Sequence, residues 1–186
     1  SNSSGISGSF LDTLLGERPE SLIEHICKQI RLKKLSETDQ SIAYRLLVDL
    51  TPAGYLQCDT DQVSEQLSVS IDAIEAVIES LQSLEPTGIF SRSLSECLAL
   101  QAKDRRGYDD IMQILLENLE LLAKGELKEL CTTAQCSVED MKQRAIRIRQ
   151  YNPKPGASFS HDTVGTTREP DLIVQRKGNE IEISLN

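Results

Sequence analysis

Two imidazoles, five thiols and an uneven spread of carboxylates and guanidinium groups are the chemistry-bearing material of this 186-residue sequence. General acid–base work near neutral pH needs a histidine held beside a nucleophile or a carboxylate. His25 lies among apolar neighbours and His161 in a polar stretch, so both read as structural or exposed rather than catalytic. Zinc sites draw on closely paired thiols. Cys27, Cys58, Cys97, Cys131 and Cys136 are odd in number and scattered, with no CxxC, which suits neither a zinc site nor a disulfide framework. They read as reduced thiols of a cytoplasmic protein. No GxGxxG, GxxxxGKS/T, HExxH or GxSxG occurs, so neither a catalytic centre nor a bound cofactor or metal is expected.

Charge is more informative. The formal net charge is −9, which argues against a module that grips nucleic acid by itself, because that grip comes from Lys and Arg neutralising phosphates. Residues 57–100 hold eight acids and a single base, Arg92, whereas residues 141–154 hold five bases and no acid. Within the acidic stretch, Ile71, Ile74, Val77, Ile78 and Leu81 form an apolar stripe at helical spacing, which leaves Asp72, Glu75 and Glu79 on the opposite face. That face is either simply solvated or a contact for a cationic partner. Arg31, Lys33 and Lys34 are the alternative contact candidates. In the basic stretch, Arg144, Arg147 and Arg149 fall in the last turns of a helix, where its dipole favours cations, or they touch DNA or a protein.

These side chains must be positioned by helices. The chain is 39 % hydrophobic but only 4 % aromatic with no Trp, so its core is built of Leu, Ile and Val, which favours packed helices over an all-β fold. No apolar run nears the roughly 20 residues that cross a bilayer, so no membrane association is expected. Capping patterns and apolar periodicity predict about eight helices, over residues 21–32, 36–50, 60–67, 70–84, 93–102, 108–123, 126–133 and 137–151. Ser21 with Glu24 and Ser93 with Glu96 have the spacing of capping boxes. The expected architecture is all-α, in two small helical subdomains with a short β-hairpin-like segment at the C-terminus. Residues 1–20 form a flexible lead-in, 21–85 a first lobe, 86–152 a second lobe, and 153–186 a loop and hairpin. Pro86, Gly88 and Arg92 mark the joint between the lobes, with Arg92 expected to pair with a nearby carboxylate such as Glu85 or Glu96.

An offset of 67 superposes Ser70 on Ser137, Ile74 on Met141 and Pro86 on Pro153, so the lobes read as weak copies of one short helix, turn, capped helix pattern. Residues 61–84 also have the lengths of a helix-turn-helix. Its recognition helix would be IDAIEAVIESLQ, with Asp72, Glu75 and Glu79 and no base, which would repel phosphates.

The stretch LEPTGIFSRSLSECLALQ, residues 84–101, resembles the pattern L-D-P-x-G-x-x-A-R-D-L-x-E-C-L-x-L-Q of the sigma-54 family of bacterial transcription factors. SLIEHICKQI from Ser21, LTPAGYL from Leu50, YNPKPGASF from Tyr151 and the run from PDLIVQ to ISLN over residues 170–186 continue the resemblance in order. Thr51 and Pro52 replace the usual acidic pair before Gly54-Tyr55, and Ser91 stands where Ala is typical before Arg92. The resemblance implies a core-binding domain of two helical subdomains that docks on core RNA polymerase. It implies that promoter DNA and the ATP-dependent activator are met through other parts of such a factor, which have no counterpart here, so the chain reads as a fragment leading to a missing DNA-binding part. The expected function is to tether a sigma-54 type factor to polymerase for activator-dependent promoter opening. A helix-turn-helix DNA-binding regulator is the alternative.

Overall fold

The computed structural model describes residues 19–159, together with the backbone of residues 172–177 and 180–185. His161 and most of the expected lead-in lie outside the described residues. Nine α-helices occur among the described residues: α1 (Leu22–Leu32), α2 (Glu37–Val48), α3 (Thr60–Leu67), α4 (Ile71–Gln82), α5 (Leu94–Asp104), α6 (Asp110–Glu117), α7 (Leu119–Lys124), α8 (Leu127–Ala134) and α9 (Val138–Ile148). The part they form is helical, as expected. The backbone of β1 (Leu172–Lys177) lies antiparallel to that of β2 (Glu180–Leu185), with Leu172 opposite Leu185.

Hydroxyl and carboxylate caps set most helix starts. Ser21, Ser36, Ser70, Ser93 and Ser137 each accept a backbone N–H from the first turn, and Asp59 and Asp109 do the same for α3 and α6. Each satisfies a donor that the helix itself leaves orphaned. Only Ser21 completes a capping box. At α5 the Glu96 carboxylate accepts instead from the Arg92 backbone N–H, at 2.6 Å, so the box expected at Ser93 is half formed. The ninth helix arises because the stretch expected to be one helix over 108–123 breaks at Asn118, which has φ −123° and ψ 42°. The Asn118 side-chain amide donates to the Ile114 carbonyl at 2.8 Å, the kind of local bond that competes with the helical ladder.

Helices α1–α4 share one core, centred on Ile26, Ile30, Ile42, Leu46, Leu47, Val63, Ile74, Ile78 and Leu81. Ile89 and Phe90, which a lobe boundary at 85/86 assigns to the second lobe, are fully buried in this first core. Two smaller clusters serve α5–α9, one around Leu98, Ala102, Met112, Leu116 and Tyr151, the other around Leu115, Leu130, Cys131 and Met141.

After α9 the chain returns to the first core. Asn152 is held by Gln101 on both sides: its N–H donates to Gln101 Oε1 at 2.8 Å and its carbonyl accepts from Gln101 Nε2 at 2.7 Å. The Tyr55 hydroxyl donates to the Pro153 carbonyl at 2.6 Å, and the Gly156 N–H donates to the Ala53 carbonyl at 3.0 Å. A 3-10 turn, Pro155–Phe159, then places Phe159 against the first core, 4.8 Å from the His25 ring. The start of the segment expected to be a loop is a strap seated on α1 and the turn after α2.

The offset of 67 is repeated in local geometry. Helices α3 and α8 each have eight residues and are followed by a left-handed residue, Ser68 and Gln135, before a serine caps the next helix. Val69 and Cys136 close the turn with equivalent backbone bonds to Ser64 and Cys131, both 3.2 Å.

Candidate functional site

Helix α4 carries the acidic face. Ser70 fixes its start, and Ile74, Val77, Ile78 and Leu81 are buried against α2 and α3. Ile71, expected in the buried stripe, is 43 % exposed, because as the first helical residue it sits beyond the edge of the shared core. The remaining positions of α4 turn outward and, with the start of α5, line an open depression of about 390 Å³. Asp72, Glu75, Glu79 and Glu96 supply its carboxylates, Arg92 its cation.

Arg92 does not pair as expected. Its guanidinium Nη2 donates to Glu75 Oε2 at 2.5 Å, across to α4, and Glu85 is not its partner. Glu96 is engaged through its two oxygens: one accepts from the Arg92 backbone, the other from Gln82 Nε2 at 2.8 Å. Glu75 thus has a structural task, tying α4 to the joint, and is not a free outward charge. Asp72 and Glu79 stay exposed on α4. The surface carries four carboxylates against one guanidinium, a negative potential of the kind that attracts cations and repels phosphate.

The joint is zipped to the turn after α2. The Phe90 N–H donates to the Gly54 carbonyl and the Leu56 N–H to the Ser91 carbonyl, each at 2.9 Å. The buried Ser91 hydroxyl donates to the Gly88 carbonyl at 2.8 Å, so serine in place of alanine there is satisfied. Gly88 has φ +101°, and a Cβ on it would meet Cys97 Sγ at 2.9 Å. Pro86 and Gly88 therefore sit in the link between α4 and α5, with Arg92 at its far end.

The alternative cationic candidates divide in the same way. Lys33 Nζ donates to the Ser80 carbonyl at 2.9 Å and to Ser83 Oγ at 2.8 Å, capping the end of α4, while Arg31 and Lys34 are exposed. Gln29, one turn before Lys33, exchanges two bonds with the Glu85 backbone. Sequence reasoning passed over Gln29; its one signal is the helical spacing to Lys33. On α9, Arg144 donates to Asp109 at 2.8 and 3.2 Å. Its position is set by this pairing to the cap of α6 and not by the helix dipole. Burial pushes Asp109 up, but the Arg144 hydrogen bond, the Met112 N–H and the nearby Arg144 and Arg147 charges leave it below the usual carboxylate range. Arg147 and Arg149 remain exposed. Burial pushes the Tyr55 phenol up to about 12, with the neighbouring Cys97 adding to it. Among the described residues no three His, Cys, Asp or Glu side chains converge where they could hold a metal ion, and no helix is long and apolar enough to cross a membrane.

The described residues thus form a helical module whose candidate site presents an array of charged side chains. The family model described as "Sigma-54 factor, core binding domain" matches residues 14–186, and the chain belongs to this family. It is 41 % identical over 158 residues to the RNA polymerase sigma-54 factor of Rhizobium etli, a match covering 83 % of this chain and 30 % of that one. It is 35 % identical over 166 residues to the factor of the same name from Caulobacter vibrioides, covering 89 % and 33 %. The chain thus spans about a third of the length of these relatives. Its fold is also similar to a crystal structure of Aquifex aeolicus sigmaN bound to promoter DNA, at 22 % identity and TM-score 0.46, over 88 % of this chain and 45 % of that one.

Proposed function

We propose that this chain is the part of a sigma-54 type transcription initiation factor that attaches to core RNA polymerase. It acts in the cytoplasm as a non-enzymatic tether for activator-dependent promoter opening. The observation that carries the reading is the match to the core-binding family along residues 14–186. Two lobes meeting near residues 86–92 form the docking body, and the strands β1 and β2 form the hairpin that leads on to a DNA-binding part. Promoter DNA and the activator are met through other parts of the factor. The acidic face of α4 supports docking on a cationic polymerase surface and disfavours the helix-turn-helix alternative for α3–α4.

Within that face Asp72 and Glu79 are the contact residues, since Glu75 is committed to Arg92. Reversing both, Asp72→Lys with Glu79→Lys, leaves the Glu75–Arg92 pair intact. The association rate with core polymerase then falls about ten-fold at low salt and much less at high salt. Stopped-flow or surface-capture kinetics measure it. Equal rates for variant and parent at low salt remove α4 from the contact. Sub-micromolar, sequence-dependent binding of promoter DNA by this chain alone would overturn the wider reading.

A further inference from the structure

The turn between α8 and α9 brings two thiols together that nothing in the docking function uses. Cys131 and Cys136 are five residues apart, but Gln135 takes the left-handed conformation between them, and the Cys136 N–H donates to the Cys131 carbonyl at 3.2 Å. This six-to-one backbone bond, with the Gln135 N–H reaching Thr132, is the helix-terminating arrangement in which the two outer residues bring their side chains into contact. Both side chains belong to one apolar cluster, with Leu115, Leu130 and Met141. The Cys131 thiol also donates to the Ser137 carbonyl at 3.8 Å, so its sulfur lies over the turn that Cys136 occupies. The equivalent turn after α3 shows what these positions do. There Ser64 holds the place of Cys131 and Val69 that of Cys136, and the Ser64 hydroxyl reaches the Val69 carbonyl at 2.6 Å.

We propose that Cys131 and Cys136 are a dithiol modification site, which a hydroperoxide converts to an intramolecular disulfide and a thiol reductant restores. Cys136 is half-buried and Cys131 buried behind it, which sets the order. The Cys136 thiolate attacks the peroxide oxygen, the O–O bond breaks, and a sulfenic acid forms with release of one molecule of water or alcohol. The Cys131 sulfur then displaces the sulfenic oxygen as water, so the S–S bond forms, two thiol hydrogens leave, and the peroxide takes up two electrons. Burial raises the Cys136 thiol, with the adjacent Cys131 adding to it, so the first step is slow and the pair depends on proximity rather than on acidity. The other three thiols lack this arrangement. Cys27 and Cys97 are buried in other parts of the molecule, and Cys58 packs against the first core. The disulfide would staple the last turn of α8 to the turn that precedes α9.

The test is intact-mass and peptide mapping of the 186-residue chain after hydrogen peroxide treatment. The expected result is a loss of about 2 Da, reversed by dithiothreitol, with one cross-linked peptide joining Cys131 and Cys136. Cys58→Ser keeps the loss, and Cys136→Ser and Cys131→Ser each abolish it. Accumulation of sulfinic acid on Cys136 with Cys131 still free overturns the proposal, as do a disulfide on any other pair, a covalent dimer, or persistence of the 2 Da loss in Cys136→Ser. Cys136→Ser is half-exposed and replaces one small side chain by another, and its circular dichroism spectrum shows whether the fold is kept.

Discussion

Gly156 is where the strap after α9 passes closest to the first core, and Gly156→Ala tests whether that contact holds the molecule together. A Cβ at this position would stand 2.5 Å from the Pro52 carbonyl oxygen, 2.8 Å from Leu22 Cδ2 and 2.9 Å from the Ala53 carbonyl carbon. Non-bonded carbon contacts are optimal near 3.5–4.0 Å, and two of these three neighbours are backbone atoms that cannot swing aside. The third belongs to a buried leucine of α1. The strap must therefore lift. Lifting it breaks the bonds from Gly156 N–H to Ala53 and from the Tyr55 hydroxyl to Pro153, each worth about 0.5–1.5 kcal/mol. Uncovering Pro155 and Phe159 removes a further ~1–2 kcal/mol of apolar burial. Against this, alanine lowers the entropy of the unfolded chain by about 0.4–1 kcal/mol.

The net loss is about 2–4 kcal/mol, which in a chain of this size lowers Tm by about 5–15 °C. Tyrosine fluorescence or circular dichroism melts read it. Gly125→Ala is the control, because it meets nothing within 4 Å and carries only the strain of φ +78°, about 1–2 kcal/mol. A Gly156→Ala Tm equal to that of the parent, or higher than that of Gly125→Ala, refutes the close-approach reasoning. Tyr55→Phe isolates one bond of the strap and lowers Tm by only a few degrees.

Asp109→Asn keeps an oxygen to cap α6 but removes the charge facing Arg144, and costs roughly 0.5–1 kcal/mol at neutral pH because the pair is partly exposed. Asp109 titrates lower in the folded chain than unfolded, so its contribution is complete above the unfolded value of about 3.9 and fades as pH falls through the folded one. Urea melts should show the two proteins converging below about pH 4, and a constant gap from pH 7 to pH 3 would rule out the ion pair as its source. Leu115→Ala empties a fully buried position shared by α6, α8 and α9 and costs about 2–5 kcal/mol. Hydrogen exchange should rise first in α6, α8 and α9, and equal loss of protection in α1–α4 would show that the two sets of helices unfold as one.

Helix starts were legible because a serine or aspartate at fixed distance from an apolar repeat does the same job wherever it stands. Ser36, Ser70, Ser93 and Ser137 needed no tertiary information to be read as caps. Partners were not legible. Arg92 and Glu75 are 17 residues apart and meet only because the link after α4 brings Arg92 back to that helix; the nearer carboxylates offered by the sequence were Glu85 and Glu96. Lys33 looked like a free cation, and it is held by α4 carbonyl and hydroxyl groups about 50 residues on. Asn118 looked like one more polar residue on a helix, since a side chain that bonds its own preceding turn leaves no mark on the apolar repeat. The strap was hidden for a different reason. Pro-Lys-Pro-Gly reads as a turn leaving the helical part, and only the packing of Gly156 against Pro52 shows that it returns.

The internal repeat separates what packing requires from what contact surfaces carry. Val63 and Leu130 are both fully buried, as are Ile74 and Met141, while Ile71 and Val138 are exposed to nearly the same degree, 43 % and 45 %. The inward positions of α3–α4 and α8–α9 have therefore kept one pattern of burial with different side chains. Their outward positions agree in the first turn, where Asp72 corresponds to Glu139, and differ in charge further on: Glu75, Glu79 and Gln82 on α4 correspond to Lys142 and Ile146 on α9 and to Arg149 at its end. The same helix pair thus presents an acidic face from one copy and a basic, partly apolar face from the other. Helix lengths and the turn alone would give both copies the same partner. Because long-range attraction and repulsion depend on the sign of the charge, the docking on a cationic surface that we propose draws on the face of α4 and not on that of α9.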